Sequence, residues 1–395
     1  LNVIRAFNAE DRFASNLFHS QNENTKIFFS FLTCGRWLGV RLDFLAFSLL
    51  VIMAPISVAL KGQNGLTGGL VGLILTFLLE NIGLGQWCVR QSAEVENQMV
   101  AAERLQEYIQ LTPEAPEVTD IRPSADWPSS GKIMIKQMNL TYPRSQEPVL
   151  RNINVEISGG EKVGIVGRTG AGKSSLLQGL FRLVEPDPKG CIIIDNLDIS
   201  SLGLLDLRSK IAIIPQEPFC FKGTLRFNLD PFETFTDDEL WKALSIVELQ
   251  PLVSRMPARL DAIVEENGSN WSVGERQLIC LARAVLRNSK VLIMDEATSN
   301  VDIKTDACIQ KAIRDDQTGV FSKCTVITIA HRLNTIIDYD KILVLEKGEV
   351  VEYGPPWELV KKPIEQSDAW FARLISELSE EIQQLLIRMA LSKSK

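Results

Sequence analysis

Gly167-Arg168-Thr169-Gly170-Ala171-Gly172-Lys173-Ser174-Ser175 brings together residue types suited to one chemistry. Glycines let successive backbone N–H groups curl around phosphate oxygens, and the lysine adds a point charge. Ser174 is placed to hold Mg²⁺ beside the β- and γ-phosphates. The neighbours supply the necessary context. Lys162-Val163-Gly164-Ile165-Val166 reads as a buried strand, and Leu176-Leu177-Gln178-Gly179-Leu180-Phe181 has helical apolar spacing. Strand, glycine-rich loop and helix in that order predict a nucleoside triphosphate site.

A second constellation completes it. Lys290-Val291-Leu292-Ile293-Met294 is an apolar strand that ends on Asp295 and Glu296. Asp295 can hold the Mg²⁺ shell, and Glu296 can polarise an attacking water. Cys324-Thr325-Val326-Ile327-Thr328-Ile329-Ala330 delivers His331 at a strand tip in the same way, a candidate contact to the γ-phosphate. Ser272-Val273-Gly274-Glu275 opens a helical stretch, and Ser and Gly at a helix start both cap it and offer anion donors. Tyr142, upstream of the loop, reads equally as an adenine-stacking ring and as a core residue.

These residues need a sheet to carry them, and 395 residues suffice for two or three domains. The charge balance is acidic, 49 carboxylates against 42 Lys and Arg, which argues against a general nucleic-acid binder. Seven scattered cysteines form no close pairs and fit a reducing compartment better than a disulfide framework.

The first 110 residues are of another kind. Residues 1–35 read as a cytosolic amphipathic helix. Phe44 to Leu60 is uncharged over seventeen residues, about 25 Å of helix, so a span must begin earlier, near residue 37. After the turn Lys61-Gly62-Gln63-Asn64-Gly65, Leu66 to Val89 offers twenty-four residues broken by one charge, Glu80. Two transmembrane helices, about 37–60 and 66–89, are therefore expected, with both outer ends on the cytosolic side. Glu80, Gly83, Trp87, Arg90 and Glu94 share one helix face. Arg36, Trp87 and Arg90 divide evenly between interfacial anchors and substrate contacts.

Residues 111–131, rich in proline, read as a linker, residues 132–365 as the nucleotide domain, and 366–395 as a C-terminal helix packing on that domain. The fold class expected is a helical membrane segment followed by an α/β P-loop ATPase.

In order along the chain, the P-loop at 167–174, Gln216 in Ile-Pro-Gln-Glu-Pro, Ser272-Val273-Gly274, Asp295-Glu296, Ser299-Asn300-Val301-Asp302 and His331 resemble the ATP-binding cassette transporters. RWLGVRLDFL at 36–45, QWCVRQSAEVENQM at 86–99 and IAHRLNTIID at 329–338 are similar to the C subfamily, the multidrug resistance-associated proteins. The resemblance implies that the chain is the last two membrane helices and second nucleotide-binding domain of a multi-pass, plasma-membrane protein. An N-terminal half with the first such domain is the implied partner.

It implies that Tyr142 stacks on adenine and that residues 167–175 hold ATP. Gln216 would sense the γ-phosphate, help ligate Mg²⁺ and couple to the membrane helices, with Glu296 as base and His331 on the γ-phosphate. Ser272, Val273, Gly274 and Glu275 would face ATP on the opposite domain. Arg36, Trp87 and Arg90 would contact substrate. Trp271, Val273 and Glu275 depart from the family's Leu-Ser-Gly-Gly-Gln, which puts hydrolysis at that opposite site in doubt. The implied function is ATP-driven export of amphipathic organic anions. An ATP-gated channel or channel regulator is the alternative, and a soluble DNA-acting ATPase is disfavoured by the apolar runs.

Overall fold

The computed structural model describes residues 2–60, 67–143, 145–296, 303–314, 320–330, 332–363 and 369–392. The chain divides into two units, residues 1–113 and 114–395.

The first unit is helical: α1 (Asn2–Ala6), α2 (Glu10–Ala59) and α3 (Gly68–Ile109). α2 is continuous where the sequence suggests a separate polar helix before a span. Glu10 and Asp11 in its first turn complement the helix dipole, and its one internal proline, Pro55, lies in the last two turns. Its 50 residues extend roughly 75 Å. Among the described residues it is the one helix long and apolar enough to cross a membrane, by length and composition. Phe44, Leu45, Phe47 and Ile52 stand exposed on it, as a lipid-facing surface requires. Several of its hydroxyls bond back to the helix itself, Ser48 donating to the Phe44 carbonyl at 2.7 Å and Thr33 to the Phe29 carbonyl at 2.8 Å.

The described apolar part of α3 is shorter, Gly68–Glu80, and the charged stretch from residue 91 continues the same helix without a breaker. The turn at 61–65 lies outside the described residues.

The second unit begins with β1 (Ile133–Leu140), β2 (Leu150–Ile157), β3 (Lys162–Val166), α4 (Lys173–Leu180), β4 (Ile192–Ile194) and β5 (Leu197–Asp198). It continues through α5 (Leu204–Lys210), β6 (Ile211–Ile214), β7 (Gly223–Thr224), α6 (Leu225–Leu229), α7 (Asp237–Ile246), α8 (Gln250–Arg255), β8 (Ile263–Val264) and α9 (Val273–Arg287). Then come β9 (Val291–Asp295), α10 (Ile303–Arg314), β10 (Thr325–Ile329), β11 (Lys341–Glu346) and β12 (Glu349–Gly354). Three helices close it, α11 (Pro356–Leu359), α12 (Trp370–Ser376) and α13 (Glu380–Ser392).

Burial patterns decide which sheet each strand joins. β1 and β2 alternate between core and surface and pair antiparallel, in a four-stranded sheet of order β2-β1-β4-β5. β3, β9 and β10 are buried nearly end to end and lie inside a sheet of order β12-β11-β3-β10-β9-β6, parallel except at the β11–β12 hairpin. α4 packs Leu176, Leu177 and Leu180 into the core between the two sheets. A second core surrounds α9, and a third joins Val166 and Val344 to Phe371, Ile375 and Leu386 of the closing helices. The C-terminal segment is therefore two helices seated on their own domain.

Of residues 111–131, expected as a linker, those from 114 onward belong to the second unit and are fastened to it. Trp127 is buried and its indole N–H donates to the Ile194 carbonyl at 3.1 Å. The Asp195 carboxylate accepts from the N–H groups of Ser130, Gly131 and Lys132 at 2.8, 2.9 and 2.8 Å. Burial pushes that carboxyl up, but its hydrogen bonds from Ser130, Gly131 and Lys132 outweigh this and hold it below the usual carboxylate range.

Candidate functional site

Strand register sets the site. Ile329 of β10 lies opposite Ile165 of β3 on one side and Asp295 of β9 on the other. The loop that leaves β3 and the acids that end β9 are thus delivered to one edge, flanking the tip of β10. That is the carboxyl edge of a parallel sheet, where α/β folds bind ligands.

The loop requires its glycines. Gly167 has φ +155°, and a Cβ there would lie 2.2 Å from the Leu345 carbonyl oxygen. Gly172, the N-cap of α4, has φ +100°, and a Cβ would meet Leu150 at 2.6 Å. The Gly348 N–H, in the β11–β12 turn, donates to the Ala171 carbonyl at 3.1 Å and fixes the loop from behind. Arg168, Thr169 and Gly170 stay exposed at the crown.

Lys173 is the first residue of α4 and only 7% exposed. Its Nζ donates to the Gly167 carbonyl at 2.7 Å and the Arg168 carbonyl at 3.1 Å. Burial lowers its pKa, opposed by the charges of Glu296 and Asp295. Asp295 shows the reverse. Burial raises its pKa, the Glu296 charge adds to that, and Lys173 opposes it. The three groups therefore share one electrostatic field. Ser174 is exposed, whereas Ser175 is buried, its Oγ 2.9 Å from the Tyr142 hydroxyl. Tyr142 is half-buried against the core between the sheets. Its hydroxyl is engaged with the P-loop helix, a contact that neither reading of the sequence anticipated.

Glu296 follows β9 with φ +46°, a left-handed conformation uncommon for a side-chain-bearing residue. Its N–H donates to the Ile329 carbonyl at 3.0 Å, and its Oε2 accepts from Gln216 Nε2 at 2.8 Å. Gln216, two residues past β6 and 80 positions earlier, thus meets the acid at the strand end. His331 and the 299–302 loop lie outside the described residues.

The start of α9 has different geometry. Ser272 is the N-cap and accepts from the Glu275 N–H at 3.2 Å, while Glu275 Oε2 accepts from the Ser272 N–H at 2.8 Å. This reciprocal pair is a capping box. Serine followed three residues later by glutamate signals it in the sequence. Trp271 is buried in the core around α9, Val273 is partly exposed, and Gly274 is buried. Gln277, one turn on, is 1% exposed and donates from Nε2 to the Pro215 carbonyl at 3.2 Å. Sequence reading missed this residue, because only its burial distinguishes it.

Arg36, Trp87 and Arg90 are all exposed, and no hydrogen bond or ion pair joins them among the described residues. On α2, Arg41 instead lies over the Trp37 ring, 4.3 Å from its centroid.

Comparison with known proteins follows the same lines. Residues 150–299 match the ABC transporter family. Over 378 residues the chain is 48% identical to ATP-binding cassette sub-family C member 4 of Homo sapiens, covering 96% of this chain and 28% of that protein. It is 48% identical over 360 residues to sub-family C member 2 of Mus musculus, covering 91% and 23%. ABC transporter C family member 8 of Dictyostelium discoideum is 46% identical over 359 residues, covering 91% and 22%. The chain spans about a quarter of the length of these relatives. A bacterial Atm1-family ABC exporter with ATP bound superposes with a TM-score of 0.74 at 26% identity, covering 94% of this chain and 64% of that one.

Proposed function

We propose, from the premise that the chain carries an ABC transporter ATPase domain, that it is the ATP-hydrolysing end of an exporter of amphipathic organic anions. The domain binds ATP. In this reading residues 1–110 end the second transmembrane segment, with residues 132–365 cytosolic and the membrane the plasma membrane. A further half supplies the first nucleotide-binding domain. The observation that carries it is the convergence of Lys173, Asp295, Glu296 and Gln216 on one sheet edge, in a chain that also holds the apolar helix α2.

Each residue then has a task. N–H groups of residues 167–175 and the Lys173 ammonium hold the phosphates, and Tyr142 abuts the adenine. Ser174, Gln216 and Asp295 are hard oxygen donors of the kind Mg²⁺ takes. Burial and the Glu296 charge disfavour the Asp295 carboxylate, and a cation there would add to the partial compensation from Lys173, so the residues fit the ion. Bound there, Mg²⁺ would neutralise charge on the phosphate oxygens. Glu296 accepts the proton of the attacking water, and Gln216 orients its carboxylate. His331 contacts the γ-phosphate. Ser272, Val273, Gly274 and Glu275 face the ATP of the other domain. Arg36, Trp87 and Arg90 meet the anionic substrate.

Inside-out vesicles containing the intact transporter test this. ATP-dependent uptake of a glutathione-conjugated dye against its gradient is expected, with Arg90→Ala reducing uptake while ATP binding is retained. Flux only down the gradient would instead indicate a channel, and unchanged uptake by Arg90→Ala would assign that residue to the membrane interface.

A further inference from the structure

Gln277 is a buried amide used only at one end. Its Nε2 donates to the Pro215 carbonyl at 3.2 Å, while Oε1 is buried without a hydrogen-bond partner among the described residues. Such an amide is poor structural glue, because an unpaired buried acceptor loses its hydration and an apolar side chain of equal volume avoids that loss. Its partner is informative. Pro215 immediately precedes Gln216, whose Nε2 holds Glu296 Oε2 at 2.8 Å. Gln277 also belongs to α9, the helix whose N-cap is Ser272, and a single hydrogen-bonded helix carries both residues.

We propose that Gln277 is a positioning residue that ties α9 to the Gln216–Glu296 pair. A shift of the α9 start, where the other domain's ATP would lie, moves Gln277, then the Pro215 carbonyl, then the side chain orienting the catalytic carboxylate. The occupied state of one ATP site thereby sets the base of the other. The inference rests on the reading of Glu296 as base and Gln216 as its orienting partner, and adds a residue that acts through Gln216.

Steady-state ATPase of the intact transporter tests it with three variants. Gln277→Met keeps volume and removes the donor. It is expected to lower kcat about tenfold, leave the KM for ATP within about twofold, and leave the thermal unfolding midpoint undiminished. Gln277→Glu is expected to recover kcat as pH falls, because the protonated acid again donates to the Pro215 carbonyl, whereas Gln277→Met shows no such recovery. In a Gln216→Ala background the Gln277→Met effect should vanish, as for two residues acting in series. A lowered unfolding midpoint with KM and kcat changing together, or equal effects of Gln277→Met in both backgrounds, would assign the residue a packing role. If Gln216→Ala itself leaves kcat unchanged, the underlying site reading falls and the relay with it. That outcome differs from one in which Gln216→Ala is impaired and Gln277→Met is not.

Discussion

The P-loop edge and the start of α9 both gather polar side chains at a helix N-terminus, yet they are built in opposite ways. At the loop, Lys173, Asp295 and Glu296 are drawn into a partly buried space where the neighbouring charges act on Lys173 and Asp295. At α9, Ser272 and Glu275 satisfy each other's backbone N–H groups and gain stability from it. The first arrangement spends fold stability on placing charge, and the second turns polar residues to holding a helix. The two helix starts are therefore told apart by where their polar groups bond.

Three substitutions press on this contrast. The largest effect is expected from Glu296→Gln, which removes the proton acceptor. ATP turnover by the intact transporter should fall by about 10²–10⁴-fold, with nucleotide binding retained in a filter or fluorescence assay. Wild-type turnover would end the assignment of the base.

A smaller effect, opposite in sign for stability, is expected from Asp295→Asn. The folded pKa of Asp295 is raised, first by burial and then by Glu296. A raised carboxyl contributes stability below its unfolded pKa, about 3.9, and loses it as pH rises through the folded value. Asparagine escapes that loss. Nucleotide-free thermal melts should show the variant more stable than the parent at pH 7, with the gain shrinking toward pH 4. A gain that grows on acidification would contradict the burial argument.

The smallest effect belongs to the other region. Glu275→Ala breaks half the capping box and should cost about 1 kcal/mol in denaturant unfolding. Unaltered unfolding would remove the helix-cap role.

The sequence made the nucleotide edge legible because its chemistry is local: the loop, Asp295 and Glu296 each sit beside the strand that positions them. It also carried the long apolar character of α2 and the placement of the closing helices on their own domain. What it concealed depends on distant partners. Trp127 reads as part of a proline-rich connector until the Ile194 carbonyl is found beside its indole. Arg168 reads as a loop residue, yet its guanidinium lies 3.2 Å from Glu377 on the far side of the chain. Gln216 is marked in the sequence by the resemblance of Ile-Pro-Gln-Glu-Pro alone, and its meeting with Glu296 is a consequence of β6 lying next to β9. Residues 10–59 read as two segments because composition changes midway, although nothing in the backbone requires a break there.

The order β12-β11-β3-β10-β9-β6 also governs the birth of the domain. β3, which leads into the P-loop, lies between β10 and β11 in the sheet, and Thr325 lies about 160 residues beyond Val166. At ~5–20 residues per second, a ribosome takes roughly ten to thirty seconds to produce the first of those neighbours. During that interval Val163, Ile165 and Val166 have no strand to pair with and remain open to other chains. Chains released before β10 is made would carry the whole nucleotide-binding motif without the neighbouring strand that flanks it.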